Sequence, residues 1–193
     1  MFFAKVIALI SIFIWIIIPL RQFNSKYFIY FLILAILDPL ILIIQLFVVL
    51  EPFRIYSVAV LFQIMSLINF KKNAQFKFIL FLVIIINIWL SFYLSISEIL
   101  LLIIFENFIV LSLFFRLTIL NIFESIKINL FYVILILYVL SIIMKFFVDY
   151  IDIKFGLNYF YLTSAFEIIV GIFFIFFNDK NSPRLNWVFN TDI

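Results

Sequence analysis

The sequence predicts an all-α fold: a polytopic membrane helix bundle of about seven transmembrane helices, N-terminus outside and C-terminus inside. Three observations predict it. First, 69% of the 193 residues are hydrophobic and only 12% are charged. Soluble domains run nearer about 45–50% and about 25%, so no water-soluble fold of this length could hide so much apolar surface. Second, the apolar stretches come in lengths that fit a bilayer, which needs about 20 residues per helix. Third, the Lys and Arg residues are unevenly divided between alternate connections, as the positive-inside rule requires.

The spans are expected at 2–20, 27–50, 55–70, 78–97, 98–116, 129–147 and 159–177, and together they make residues 1–193 a single transmembrane domain. The first carries Lys5 but is too long for a signal-peptide core. No small-residue cleavage site follows it in IPLRQFNS, so it is read as a retained helix. The third span is short. The division between the fourth and fifth rests on Ser95-Ile96-Ser97-Glu98. The mixed-polarity segment FRLTILNIFESIKIN is expected to extend helix five along the membrane surface. Trp187 with Arg184 is expected as an interface anchor. With the N-terminus outside, the inner side holds Arg21, Lys26, Lys71, Lys72, Lys77, Arg116, Lys127, Lys180 and Arg184. The outer side holds Lys5, Arg54, Lys145 and Lys154. The net charge of +3 is therefore a topology signal and gives no support for nucleic-acid binding.

The stretch ILAILDPLILIIQ places Asp38 and Pro39 mid-span. An Asp at a helix centre costs roughly 2.5–3.5 kcal/mol on insertion, and such residues usually face the bundle interior. Gln63, Asn87, Glu106, Asn107 and Glu167 fall at similar depth in four other helices. Together with Asp38 they predict one polar layer near the midplane, a ligand or proton site. Asn87, Ser91, Ser95 and Glu98 form one helical stripe, Thr163, Glu167 and Gly171 another, and Tyr138, Ser141 and Lys145 a third. Lys145 is expected to snorkel toward the outer interface. With no cation expected at the polar depth, three ionised carboxylates would repel one another. At least one of Asp38, Glu106 and Glu167 is thus expected to be protonated at neutral pH. The competing reading is structural: Pro39 frees a helix carbonyl, and the polar side chains bond across helices at about 0.6–2 kcal/mol each.

The chain has no Cys and no His. That excludes thiol chemistry, disulfides, zinc proteases built on HExxH and histidine-dependent triads. One intramembrane aspartate is too few for an aspartyl protease, and helix seven carries no lysine for a retinal Schiff base. The only glycines, Gly156 and Gly171, make neither a P-loop nor a GxGxxG. No cofactor and no metal site is expected.

The segments YFIYFLILAILDPL, IYSVAVLFQIMSLINFKK and INLFYVILILYV resemble those of small seven-helix proteins of Bacteroidetes-type bacteria, some of which resemble the membrane sensor halves of histidine kinases. The resemblance covers about a quarter of the chain and brings no catalytic residue with it. It implies a sensor or accessory subunit of a bacterial inner membrane. Such a protein has the lipid bilayer around it and acts on a separately encoded cytoplasmic or membrane partner. A small proton-coupled transporter using Asp38, Glu106 and Glu167 is the second reading. A carboxylate-dependent lipid hydrolase is the third.

Overall fold

The computed structural model describes residues 2–48, 51–68, 74–153 and 156–186. Lys71, Lys72, Lys154 and Trp187, used above for orientation and anchoring, lie outside them. The described chain is an all-α bundle of seven helices: α1 Phe2–Gln22, α2 Phe28–Phe47, α3 Pro52–Leu67, α4 Ala74–Ser91, α5 Ile96–Ser125, α6 Leu130–Tyr150 and α7 Gly156–Phe176. Four segments are long and apolar enough to cross a membrane: Phe28–Phe47, Ile96–Ser125, Leu130–Tyr150 and Asn158–Phe176. The apolar parts of α1, α3 and α4 are shorter, at Val6–Gln22, Pro52–Leu67 and Phe81–Ser91.

The boundary between α4 and α5 is real, but it falls earlier than the sequence suggested. Helix α4 stops at Ser91, and Ser95 is the N-cap of α5. Ser95 and Glu98 form a reciprocal capping box: the Ser95 backbone N–H donates to Glu98 Oε2 at 2.8 Å, and the Ser95 hydroxyl accepts from Glu98 N. This satisfies donors that the helix start leaves unpaired. The expected stripe running from Asn87 through Ser95 to Glu98 is therefore broken, because its members belong to two helices. Helix α5 then continues past residue 116 to Ser125 but stops short of the expected end at Asn129, because Lys127–Asn129 form a strand. Its 30 residues span about 45 Å, more than the roughly 30 Å hydrocarbon layer. It ends where Ile126 turns left-handed at φ 54. Pro39 does not end α2, which stays helical from Phe28 to Phe47.

The packing describes a ring. Helix α1 packs on α2, α2 on α3, α3 on α5, α5 on α6, α6 on α7, and α7 closes back on α1. Helix α4 stands outside this ring, against α3. Gly171 makes the tightest closure. A Cβ there would lie 2.5 Å from Ile14 Cγ2. Ile14 is β-branched and stiff at χ1, so it cannot swing aside cheaply. Gly171→Ala is expected to cost about 1–3 kcal/mol by overpacking the α1–α7 seam. Thermal unfolding in a fixed detergent would check it, and an unchanged midpoint would show that the seam is looser than described.

Short connections make successive helices antiparallel and give the bundle two ends. At one end, β1 (Lys127–Asn129) pairs antiparallel with β2 (Arg184–Asn186), Ile128 facing Leu185. The sequence had not suggested this ribbon. Side chains bind the tail to that end. Gln22 Nε2 donates to the carbonyls of Phe174 at 2.9 Å and Phe177 at 2.8 Å, which the end of α7 leaves without helical partners. Asn129 Nδ2 donates to Asp179 O at 2.8 Å while its Oδ1 caps α6 through Phe131 N. Lys26 lies 5.0 Å over the Tyr27 ring and 5.5 Å over Tyr132. Burial pushes the Tyr27 phenol well above its ordinary value, with Tyr132 beside it adding to the effect, so it stays neutral.

Large apolar side chains face outward along the bundle, among them Phe13, Leu46, Phe78, Trp89, Phe105 and Leu162. Polar side chains face inward: Gln22, Ser57, Gln63, Asn87, Glu106 and Asn107 are all buried. This is the reverse of a soluble protein and the arrangement expected of helices set in hydrocarbon.

Candidate functional site

Two neighbouring pairs of residues decide where the polar chemistry goes. Tyr56 and Ser57 are adjacent on α3, and Glu106 and Asn107 are adjacent on α5. Consecutive residues on a helix point about 100° apart, so each pair must serve two different places. The expected single polar layer is thereby split into two clusters.

The first cluster is solid. Ser57 on α3, Asn87 on α4 and Glu106 on α5 are buried together. Asn87 Nδ2 donates to Glu106 Oε1 at 2.7 Å. The Ser57 hydroxyl lies 3.1 Å from Asn87 Oδ1 and 3.2 Å from both Glu106 oxygens. Neither Asn87 nor Glu106 reaches the bundle's lumen. Their geometry is that of interhelical bonding, and it ties the outlying α4 to the ring.

The second cluster lines a cavity of about 240 Å³ in the middle of the ring. Every ring helix contributes to it: Trp15 from α1, Asp38 from α2, Tyr56 and Gln63 from α3, Asn107 from α5, Lys145 from α6 and Glu167 from α7. No described residue of α4 lines it. The lining follows helical spacing: Phe53, Tyr56, Val60 and Gln63 on α3, and Tyr138, Ile142, Lys145 and Asp149 on α6. Asp38 shares the face of α2 that carries the buried Leu34 and Ile41, and it lines the cavity. Four of the six residues expected in one layer thus meet here: Asp38, Gln63, Asn107 and Glu167.

Two charged contacts organise the cavity. Lys145 Nζ donates to Glu167 Oε1 in an ion pair. This corrects two expectations. Lys145 does not snorkel to the interface, and a cation does sit at carboxylate depth. The tally of outer cations falls by one accordingly. The pairing arises because Lys145 and Glu167 fall on the facing stripes of α6 and α7. At Asp38, the Tyr56 hydroxyl donates to Oδ1 at 2.5 Å. Asp38 therefore accepts from a phenol and makes no bond to a freed carbonyl beside Pro39.

The amides are less satisfied. Asn107 Nδ2 donates to Ile103 O at 2.9 Å, one turn back along α5. Gln63 is 3% exposed and faces the cavity, yet its side-chain amide finds no partner among the described residues. Such a group turned into a cavity is what a polar guest would complete.

The cavity has one closed end. Toward the ribbon, Trp15 stacks on Tyr138 at 4.6 Å and leans on Phe174. Behind them Tyr27, Tyr30, Phe31, Phe114, Phe131 and Phe174 pack into an aromatic layer with at most 2% exposure each. Toward the other end the lining reaches Phe53, the second residue of α3, and Asp149, one residue from the end of α6.

No protein-family model matches the chain, and comparisons with curated proteins and with solved structures found no significant match. The reading of the site therefore rests on its own residues. Sequence reasoning missed Trp15, Tyr56, Ser57 and Asp149. Spacing could have found Tyr56, which lies seven residues before Gln63 on the same stripe, and Asp149, four beyond Lys145.

Proposed function

We propose that this chain is a multi-pass protein of a bacterial cell membrane. All seven helices cross, the ribbon end is cytoplasmic, and the protein acts as a sensor or accessory subunit for a separately encoded partner. The observation that carries this is the cavity itself, lined by all six ring helices and sealed toward the ribbon by the aromatic layer. A guest entering from the outer end touches every ring helix at once, so its binding energy bears on how the helices pack. A ligand that binds one packing better than another shifts their populations by that difference. The shift is read at the ribbon end, where α1, α5, α6 and α7 are tied together by Gln22, Asn129 and the tail. The resemblance to sensor halves of histidine kinases points the same way. A transporter finds less support, because a path through the bundle would have to part the aromatic layer. A carboxylate hydrolase also finds less, because Glu167 is committed to Lys145 and Glu106 lies outside the cavity.

The test is co-purification of the tagged protein from its native membrane in a mild detergent, followed by mass spectrometry. The expected result is a stoichiometric partner that stays bound through size exclusion. Recovery of the chain alone from two unrelated detergents would remove the partner from the account.

A further inference from the structure

The charges lining the cavity do not balance, and the imbalance specifies a guest. Three carboxylates line it, Asp38, Asp149 and Glu167, against one cation, Lys145. Lys145 is engaged with Glu167. Asp38 has only the neutral Tyr56 hydroxyl. The floor, Trp15 stacked on Tyr138, is aromatic and offers a seat for an apolar body. Gln63 adds an unpartnered amide that can accept from an N–H. An anion would meet Asp149 at the mouth and Asp38 within, and could reach Lys145 only by displacing Glu167. From this we infer that the cavity binds a small organic ammonium ion, its charge against Asp38 and its apolar body on the aromatic floor. At about 240 Å³ the space lies below the roughly 300–1,000 Å³ of drug-sized sites, so the body is short. The inference deepens the proposed function and rests on its reading of the cavity as a ligand site.

The ammonium could be a free amine or the head of an aminolipid, and one experiment separates these sources. The full chain is placed in phosphatidylglycerol nanodiscs and titrated calorimetrically with phenethylammonium, 3-phenylpropanol and 3-phenylpropionate. The cation is expected to bind more tightly than either isostere. Asp38→Asn is expected to weaken it about ten- to a hundredfold, the range for a hydrogen bond to a charged group. Glu124→Gln, on α5 near the ribbon and away from the cavity, is expected to leave it unchanged. If Asp38→Asn does not fold, Asp149→Asn at the exposed mouth serves, with a smaller loss expected. Repeating the titration with phosphatidylethanolamine in the disc identifies the source: weakened amine binding supports a lipid head, and unchanged binding supports a free amine. Equal or tighter binding of the propionate, or a cation affinity that ignores both Asp variants, overturns the ammonium inference and leaves the ligand site standing. Binding of none of the three probes overturns the ligand site as well.

Discussion

Replacing Lys145 with methionine is expected to destabilise the bundle by about 2–3 kcal/mol. The change removes the partner of Glu167 and leaves a carboxylate at mid-bundle. Breaking a fully buried pair costs about 3–5 kcal/mol. Here the side chains of Lys145 and Glu167 are 29% and 20% exposed, so the cost falls below that range. The double variant Lys145→Met/Glu167→Met is expected to recover most of the loss, since a pair replaced by well-packed apolar groups is often near neutral. The two changes are therefore strongly non-additive. Unfolding of the four proteins in one detergent checks this. Additive losses would mean that the pair does not hold α6 to α7.

Glu106→Ala is expected to cost about 2 kcal/mol and to loosen α4 specifically. Interhelical hydrogen bonds in membranes average about 0.6 kcal/mol, with a maximum near 1.7. Glu106 accepts from two donors, Asn87 and Ser57. Both would be left in an apolar seam, which adds to the loss. Because α4 packs mainly on α3 and is tied to α5 by this cluster, amide exchange should rise in α4 and stay level in α6 and α7. Glu106→Gln keeps a carbonyl oxygen for Asn87 and is expected to cost less than half as much. A uniform rise in exchange would show that the cluster holds the whole ring and not α4 alone.

Much of the fold was legible in the sequence, because apolar length and short polar connections are strong signals in a membrane chain. Most helix ends lie within about four residues of the expected spans. The α4 end falls earlier, at Ser91, because Ser95 caps α5, and α5 runs beyond 116 to Ser125. The β ribbon was not legible. Each of its strands has three residues, and their pairing joins segments more than fifty residues apart. Of the polar residues expected to face inward, Gln63, Asn87, Glu106 and Asn107 are buried, but depth alone could not group them. Depth is a one-dimensional reading. Glu106 and Asn107 share a depth and face different neighbours, as do Tyr56 and Ser57. Only the azimuth of each helix, fixed by its packing in the ring, separates the bonding cluster from the cavity. The same is true of Lys145, whose position near a helix end suggested the interface until the α6–α7 contact placed Glu167 opposite it.

The central claim is a polar cavity reached from one side only, and the chain suits a direct test because it contains no native cysteine. Single thiols would be introduced at position 56, in the cavity wall, and at position 127, in the ribbon. A small charged thiol reagent that cannot cross membranes would then be added to intact spheroplasts and to inverted vesicles. The expected result is labelling at position 56 from the outer side alone and at position 127 from the cytoplasmic side alone. Labelling of both positions from the same side, or of position 56 from the cytoplasmic side, would contradict it.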